Sequence, residues 1–272
     1  MADEIGDASY VIRTGDAALE RLELLARLFW PTTRTLLARN DVFDADRLLD
    51  VGCGIGDVVC RASAEGVEFS VGIDVNRAVI DAAERRCKSH GGSASFFTRS
   101  IGDLDRESEL ADFDVVYARC LISHTSEPAE ALASLCAAAK PGGLVVIEDV
   151  QVDAVWCSPP SRALARHAEL YLAAAFGLGA HPDVAPAIPP LLRELNATDV
   201  SVDVVQPLLR EQADLQIHAR TMEAIAESVL AQGLATEGEL RELVDELDDL
   251  AKTPGVVATL PRIVQVTARA PL

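Results

Sequence analysis

Residues 48–57 read LLDVGCGIGD, and their types and spacing point to ligand chemistry. Leu48-Leu49-Asp50-Val51 has strand character, Gly52, Gly54 and Gly56 follow at once, and a helical pattern starts near Asp57. A strand, a glycine turn and a helix N-terminus together form a cradle for a nucleoside. Glycine lets the backbone approach closely, and the first helical N–H groups are free to bind polar groups. Further on, VGIDVN ends a second strand-like run in Asp74. An acid about 20 residues past such a cradle accepts hydrogen bonds from ribose hydroxyls. The competing reading is that Asp74 or Asn76 caps the next helix.

The glycine spacing is G-x-G-x-G, and Asp57 stands where a dinucleotide fold has its last glycine. An acid there repels a pyrophosphate at the helix N-terminus but tolerates a zwitterion carrying an amino group. Charge therefore favours S-adenosylmethionine over NAD.

The elements that position these residues follow from periodicity. Strand-like runs recur at Arg47–Val51, Phe69–Ile73, Ser95–Thr98, Val115–Ala118 and Leu144–Glu148. Ala-rich amphipathic stretches at 57–65, 77–90 and 127–139 lie between them. This alternation predicts a doubly wound α/β fold, a mostly parallel seven-stranded sheet with helices on both faces. Val200–Gln206 and Arg262–Ala268 supply the sixth and seventh strands. Residues 16–39 are helical, and Pro31 is expected to divide them into two helices. Helical patterns also cover 161–178, 212–232 and 237–251, while 179–190, rich in Gly and Pro, reads as a loop. The organisation expected is an N-terminal helical cap at 1–40, a Rossmann-like core at 41–150 and a lid insertion at 151–195. Residues 196–272 complete the core, with a helical insertion at 207–261.

Composition narrows the partners. The 272 residues carry 24 Lys and Arg against 43 Asp and Glu, a net charge of −19, which argues against nucleic acid. No basic-plus-apolar leader and no apolar run of membrane length is present, so a cytoplasmic protein is expected. The six cysteines form no C-x-x-C pair, and a metal or disulfide framework is not implied. Cys53 and Cys120 fall near the cradle and read as small buried thiols.

LLDVGCGIGD resembles the first motif of class I S-adenosylmethionine-dependent methyltransferases, and VGIDVN their second-strand motif. FDVVYARCLISHTSEPAEALASLCAAAKPGGLVVIEDV, residues 113–150, resembles their fourth-strand, helix and fifth-strand block with its PGG turn. The likeness runs continuously over about residues 45–150. From Tyr10, YVIRTGDAALERLELLARLFWPTTRTLL also resembles a bacterial subgroup with small-molecule or unassigned substrates.

The resemblance implies that the backbone at Gly52, Cys53 and Gly54 packs against the methionine part and the ribose. It implies that Asp50 receives the amino group, directly or through water. Asp74 would take the ribose hydroxyls, and Val75 and Asn76 would flank the adenine. The adenine clamp usually has an acid followed by a small residue. Ser100-Ile101-Gly102-Asp103 departs from that pattern, leaving Ser100 and Ile101 as the preferred clamp and Asp103 as the alternative. Arg119 would lie at the methionine end, against the reading of a surface or helix-capping arginine. Tyr10 and Arg13 would fold over the cofactor.

Methyl transfer from a sulfonium is an in-line displacement with a good neutral leaving group. The protein chiefly positions the acceptor and excludes water. A proton-bearing acceptor also gains from a general base. His124, in LISHTSEP after the fourth strand, is the first candidate, against a structural role for the same ring. Glu148 and Asp149 end the fifth strand at the edge of the ligand crevice and are weaker candidates. His167 and Tyr171 lie one helical turn apart and either line an acceptor pocket or pack as an amphipathic face. His218 and His181 read as core or surface residues.

No Asn-Pro-Pro-Tyr-like motif follows the fourth strand, which disfavours adenine or glutamine amide acceptors. Ser158-Pro159-Pro160 lies in the wrong place for one. Residues 115–120 lack the acidic pair of the metal-dependent catechol enzymes, so no metal is implied. The expected acceptor is a small, largely apolar metabolite, aromatic or polyketide-like, under a lid carrying Trp156, Leu170, Phe176 and Leu178. The competing readings are a protein methyltransferase and a non-catalytic binding partner using the acidic helix 237–251. An NAD(P) oxidoreductase is the remaining alternative.

Overall fold

A computed structural model describes residues 16–89, 93–107 and 109–272; Tyr10 and Arg13 lie outside the described residues. The first half of the chain alternates strictly after one long helix, α1 (Asp16–Arg39). It runs β1 (Arg47–Val51), α2 (Asp57–Glu65), β2 (Phe69–Asp74), α3 (Arg77–Ser89), β3 (Ala94–Thr98), β4 (Phe113–Arg119), α4 (Pro128–Ala138) and β5 (Ala139–Gln151). The second half adds β6 (Cys157–Ser158), α5 (Arg162–Gly177), α6 (Ile188–Glu194), β7 (Thr198–Val205) and β8 (Leu208–Leu209). It then continues through α7 (Gln212–Leu215), α8 (Ile217–Ala231), α9 (Glu237–Lys252), β9 (Val257–Thr259) and β10 (Arg262–Arg269).

The main sheet has seven strands in the order β3-β2-β1-β4-β5-β10-β7. Strands β1 to β5 pair in parallel, and β10 is antiparallel to both β5 and β7. Its central strands are apolar on both faces because both are covered. Leu48, Val115, Tyr117, Leu144 and Val146 point to the face carrying the end of α1 and α2. Leu49, Val116, Ala118, Val145 and Ile147 point to the face carrying α4 and α6. The order reverses between β1 and β4, so a crevice opens beyond their carboxyl ends. A second core joins α1, α5, α8 and α9 through Leu24, Phe29, Leu170, Met222, Ile225 and Leu243. These helices form a layer beside the crevice.

Two expectations need correction, and one element left no sequence signal. Pro31 does not divide the first helix, which runs unbroken from Asp16 to Arg39. Proline removes one ladder bond, yet Phe29 before it and Leu36 and Leu37 after it are both anchored in cores. Packing on both sides outweighs the local loss. Residues 188–190 are not loop: Pro189 and Pro190 open α6, where the missing N–H costs nothing. The small sheet β6-β9-β8 has strands of two or three residues, too short to leave a periodic signal.

Candidate active site

The loops after β1, β2 and β4 open into one cavity of about 1270 Å³, closed on its far side by α1, α5 and α8. Asp50, Gly52, Cys53, Gly54, Asp74, Val75 and Asn76 line it, as do Ser100, Ile101, Arg119, His124, His167 and Tyr171. Glu148 and Asp103 are not on its wall.

The glycine turn shapes one end. Gly54 has φ +53°, and a Cβ built there would meet nothing within 4 Å, because the cavity lies in front of it. Gly56 has φ +70°, and a Cβ would come within 2.7 Å of the Phe96 ring. Asp74 ties this turn to the next one. Its Oδ2 accepts from the Gly54 N–H (3.1 Å) and its Oδ1 from the Asn76 N–H (2.9 Å). The cap of α3 is Asn76, whose Oδ1 accepts from the Ala78 and Val79 N–H groups. Asp74 is thus a bridge between two loops, with lone pairs left over toward the cavity. Burial raises its pKa, against the three N–H groups that lower it.

Asp57 opens α2 and is 2 % exposed, but its charge is matched. Oδ1 accepts from Arg61 Nε and from an Arg86 terminal nitrogen, both at 2.8 Å. The repulsion that an acid here would exert on a phosphate is therefore largely cancelled by two guanidinium groups, a compensation invisible in the motif itself.

Asp50 is buried at the end of β1, and no described residue donates a hydrogen bond to it. Desolvation lifts its pKa to about 8, with the Arg119 charge opposing the shift. Arg119 donates to Thr33 Oγ1 (3.2 Å), and its guanidinium lies 5.2 Å from the centroid of the Phe29 ring. It is neither a surface residue nor a helix cap.

Glu148 proves unsuited to the catalytic role considered for it. Its carboxylate is 1 % exposed. Oε2 accepts from Thr33 Oγ1 (2.6 Å) and the Tyr117 hydroxyl (2.5 Å), and Oε1 from Gln265 Nε2 (2.8 Å). It ties α1, β4 and β10 to β5 behind the cavity. Asp103 is also spent locally, accepting from the Ser100 N–H (2.9 Å) in a reciprocal cap with Ser100 Oγ. Of the Ser100 and Asp103 alternatives, only Ser100 reaches the cavity.

On the helical side, burial lowers the His124 pKa to about 4, helped by the charge of Arg21. His167 falls to about 3 and His218 to about 4, again mainly through burial. The His167 and His218 rings meet edge-on, 5.5 Å between centroids. All three imidazoles are therefore neutral at pH 7. His218, Thr221 and Arg21 line the cavity although the sequence reading gave none of them a role. Their signal was present: Arg21 interrupts the apolar stripe Ala18, Leu22, Leu25, Phe29, and His218 and Thr221 share a face of α8 one turn apart. Cys120, at the end of β4, adopts φ +50°, unusual for a non-glycine residue. His181 instead packs at the edge of the loop after β4, near the Ser126 carbonyl (3.3 Å).

A methyltransferase-domain family pattern matches residues 49–145. The O-methyltransferase resE of Aspergillus sclerotiorum is 31% identical over 216 residues, which cover 76% of this chain and 77% of that protein. The chain belongs to the class I S-adenosylmethionine-dependent methyltransferase family. Another relative of this methyltransferase is the ubiquinone biosynthesis O-methyltransferase of Methylococcus capsulatus. That protein is 32% identical over 99 residues, which make up 36% of this chain and 41% of the relative. The match thus spans about two fifths of that relative's length. The phosphoethanolamine N-methyltransferase 2 of Haemonchus contortus, solved with phosphomonomethylethanolamine and S-adenosylhomocysteine, shares the fold. Its TM-score is 0.57 at 19% identity, over 93% of this methyltransferase and 58% of that chain.

Proposed function

We propose that this methyltransferase moves the methyl group of S-adenosylmethionine to an oxygen, nitrogen or carbon of a small, largely apolar metabolite. The observation that carries the reading is the single cavity joining the glycine turn and Asp74 to a pocket walled by α1, α5 and α8.

The residues present fit the cofactor. Asp50 is a buried carboxylate with no described donor, suited to an ammonium. The open face of Gly54 leaves room for a nucleoside against the backbone. Asp74 keeps lone pairs for ribose hydroxyls, and Val75, Asn76, Ser100 and Ile101 border the space where an adenine would lie. Arg119, beside Asp50, suits the carboxylate of an amino acid. When bound, S-adenosylmethionine supplies an electrophilic methyl carbon and departs as a neutral sulfide.

The chain's own work is then positional. Leu22, Leu25, Tyr171, Ile217 and Leu260 line the helical side of the cavity and shed water from it. His124 is held neutral, the state that can accept a proton from the acceptor, although a pKa near 4 makes it a weak base. In this reading α1 and the insertions holding α5 and α8 wall the pocket, and the strands hold the cofactor side. The charge of −19 speaks against a nucleic-acid acceptor. Among the described residues, no helix is long and apolar enough to cross a membrane.

Calorimetry with S-adenosylhomocysteine and with NADH tests the cofactor assignment. Binding of the first but not the second is expected, and Asp74→Ala should weaken it at least tenfold. An unchanged affinity in that variant would remove Asp74 from the ribose site.

A further inference from the structure

Arg21 reaches the cavity from α1 and is only 6 % exposed. Its Nε donates to Thr221 Oγ1 on α8 (3.0 Å). The chain has 43 carboxylate side chains, yet none in a described residue forms an ion pair with this guanidinium. Asp149, in β5, accepts from the backbone N–H groups of Ser123 and Val150. Arg21 shares the cavity wall with Cys120 and His124, on the loop after β4, and with His167 of α5. Arg119 occupies a different place, beside Asp50 and against Phe29.

A desolvated guanidinium without a counter-ion is costly. With Nε engaged by Thr221, its two terminal nitrogens form an end-on pair of donors matched to a carboxylate. His167, whose two ring nitrogens have no hydrogen-bond partner among the described residues, borders the same space and carries one further N–H in its neutral form. The remaining wall, from Leu25, Tyr171, Ile217 and Leu260, is largely apolar.

We propose that the methyl acceptor is an amphipathic carboxylic acid whose carboxylate is held by Arg21, with its apolar body against α1, α5 and α8. This rests on the methyltransferase reading above and names the substrate class of that site. Arg21 acts as a specificity residue. It fixes which end of the acceptor lies away from the methyl donor.

The test is calorimetry on protein saturated with S-adenosylhomocysteine. The probes are benzoate, 4-hydroxybenzoate and octanoate, each beside its neutral amide. The acids should bind at least tenfold more tightly than the amides. Arg21→Gln should reduce that preference to twofold or less, Arg21→Lys should keep part of it, and both should bind S-adenosylhomocysteine within threefold of the parent. Equal affinity for acids and amides in the parent, including no binding of either, overturns the proposal. So does a preference that survives Arg21→Gln. A tenfold loss of S-adenosylhomocysteine affinity in Arg21→Gln also overturns it, by assigning the guanidinium to the cofactor. If Arg21→Gln does not fold, the parent comparison and Arg21→Lys decide. A parent that binds no S-adenosylhomocysteine sinks the cofactor reading instead, a separate failure.

Discussion

Burial leaves Asp50 with a pKa of about 8, so most molecules carry it protonated at pH 7. An ammonium placed beside it restores the carboxylate and expels the proton. Binding of S-adenosylhomocysteine at pH 7 should therefore release up to about 0.9 proton. Calorimetry in buffers of different ionisation enthalpy reads this directly, and a buffer-independent heat would contradict it. His124 makes the opposite case. Its pKa of about 4 keeps it in the proton-accepting form throughout the neutral range. His124→Ala should lower turnover more than cofactor affinity, and any loss of activity traceable to His124 should appear as pH falls through about 4 rather than 6.5. Full activity in the variant would remove His124 from the chemistry. The motif residues were legible at this scale because each depends on its near neighbours. The state of Asp57, neutralised by Arg61 and Arg86, was not, because Arg86 lies 29 positions away.

At the scale of elements, the glycine turn does two jobs with different residues. Gly56 combines φ +70° with a Cβ position 2.7 Å from Phe96 and 3.0 Å from Ala83, so it seats α2 against β3 and α3. Gly56→Ala should destabilise the fold by about 1–3 kcal/mol, as strain and overpacking combine, seen as a lower urea midpoint. Gly54→Ala meets open space and should cost less stability while reducing S-adenosylhomocysteine affinity; the reverse ranking would show that the turn's roles are misassigned. The strands of the main sheet were legible because an apolar run bounded by turn residues is a local pattern. The unbroken α1 was not, since its continuity across Pro31 depends on cores on both sides of the break.

At the scale of the whole molecule, three neutral imidazoles sit where α1, α5, α8 and the loop after β4 converge. Their folded pKa values lie below the unfolded 6.5, so the unfolded chain binds more protons between about 3 and 6.5. Stability from these groups is present above 6.5 and lost as pH falls through that window. Asp50, Asp74 and Asp149 are raised by burial and contribute with the opposite sign above the ordinary carboxylate range. A difference measurement separates the two. Between pH 6.5 and 4, the parent should lose more stability than His167→Phe, by up to about 1.4 kcal/mol per pH unit. Parallel pH profiles in urea denaturation would show that His167 does not titrate on unfolding.

The sequence alone determined the sheet, its glycine turn and the acid at the end of β2. These are set by interactions among residues a few positions apart, which residue type and spacing encode directly. Only the tertiary structure decided which side chains line the cavity wall opposite the glycine turn. Arg21 and Thr221 are 200 residues apart and meet because two amphipathic helices bury complementary faces against one core. Glu148 likewise had the right position for chemistry, but Thr33, Tyr117 and Gln265 converge on it from three other elements and make it structural. Long-range packing decides which side chains share a space, and no local pattern carries that information.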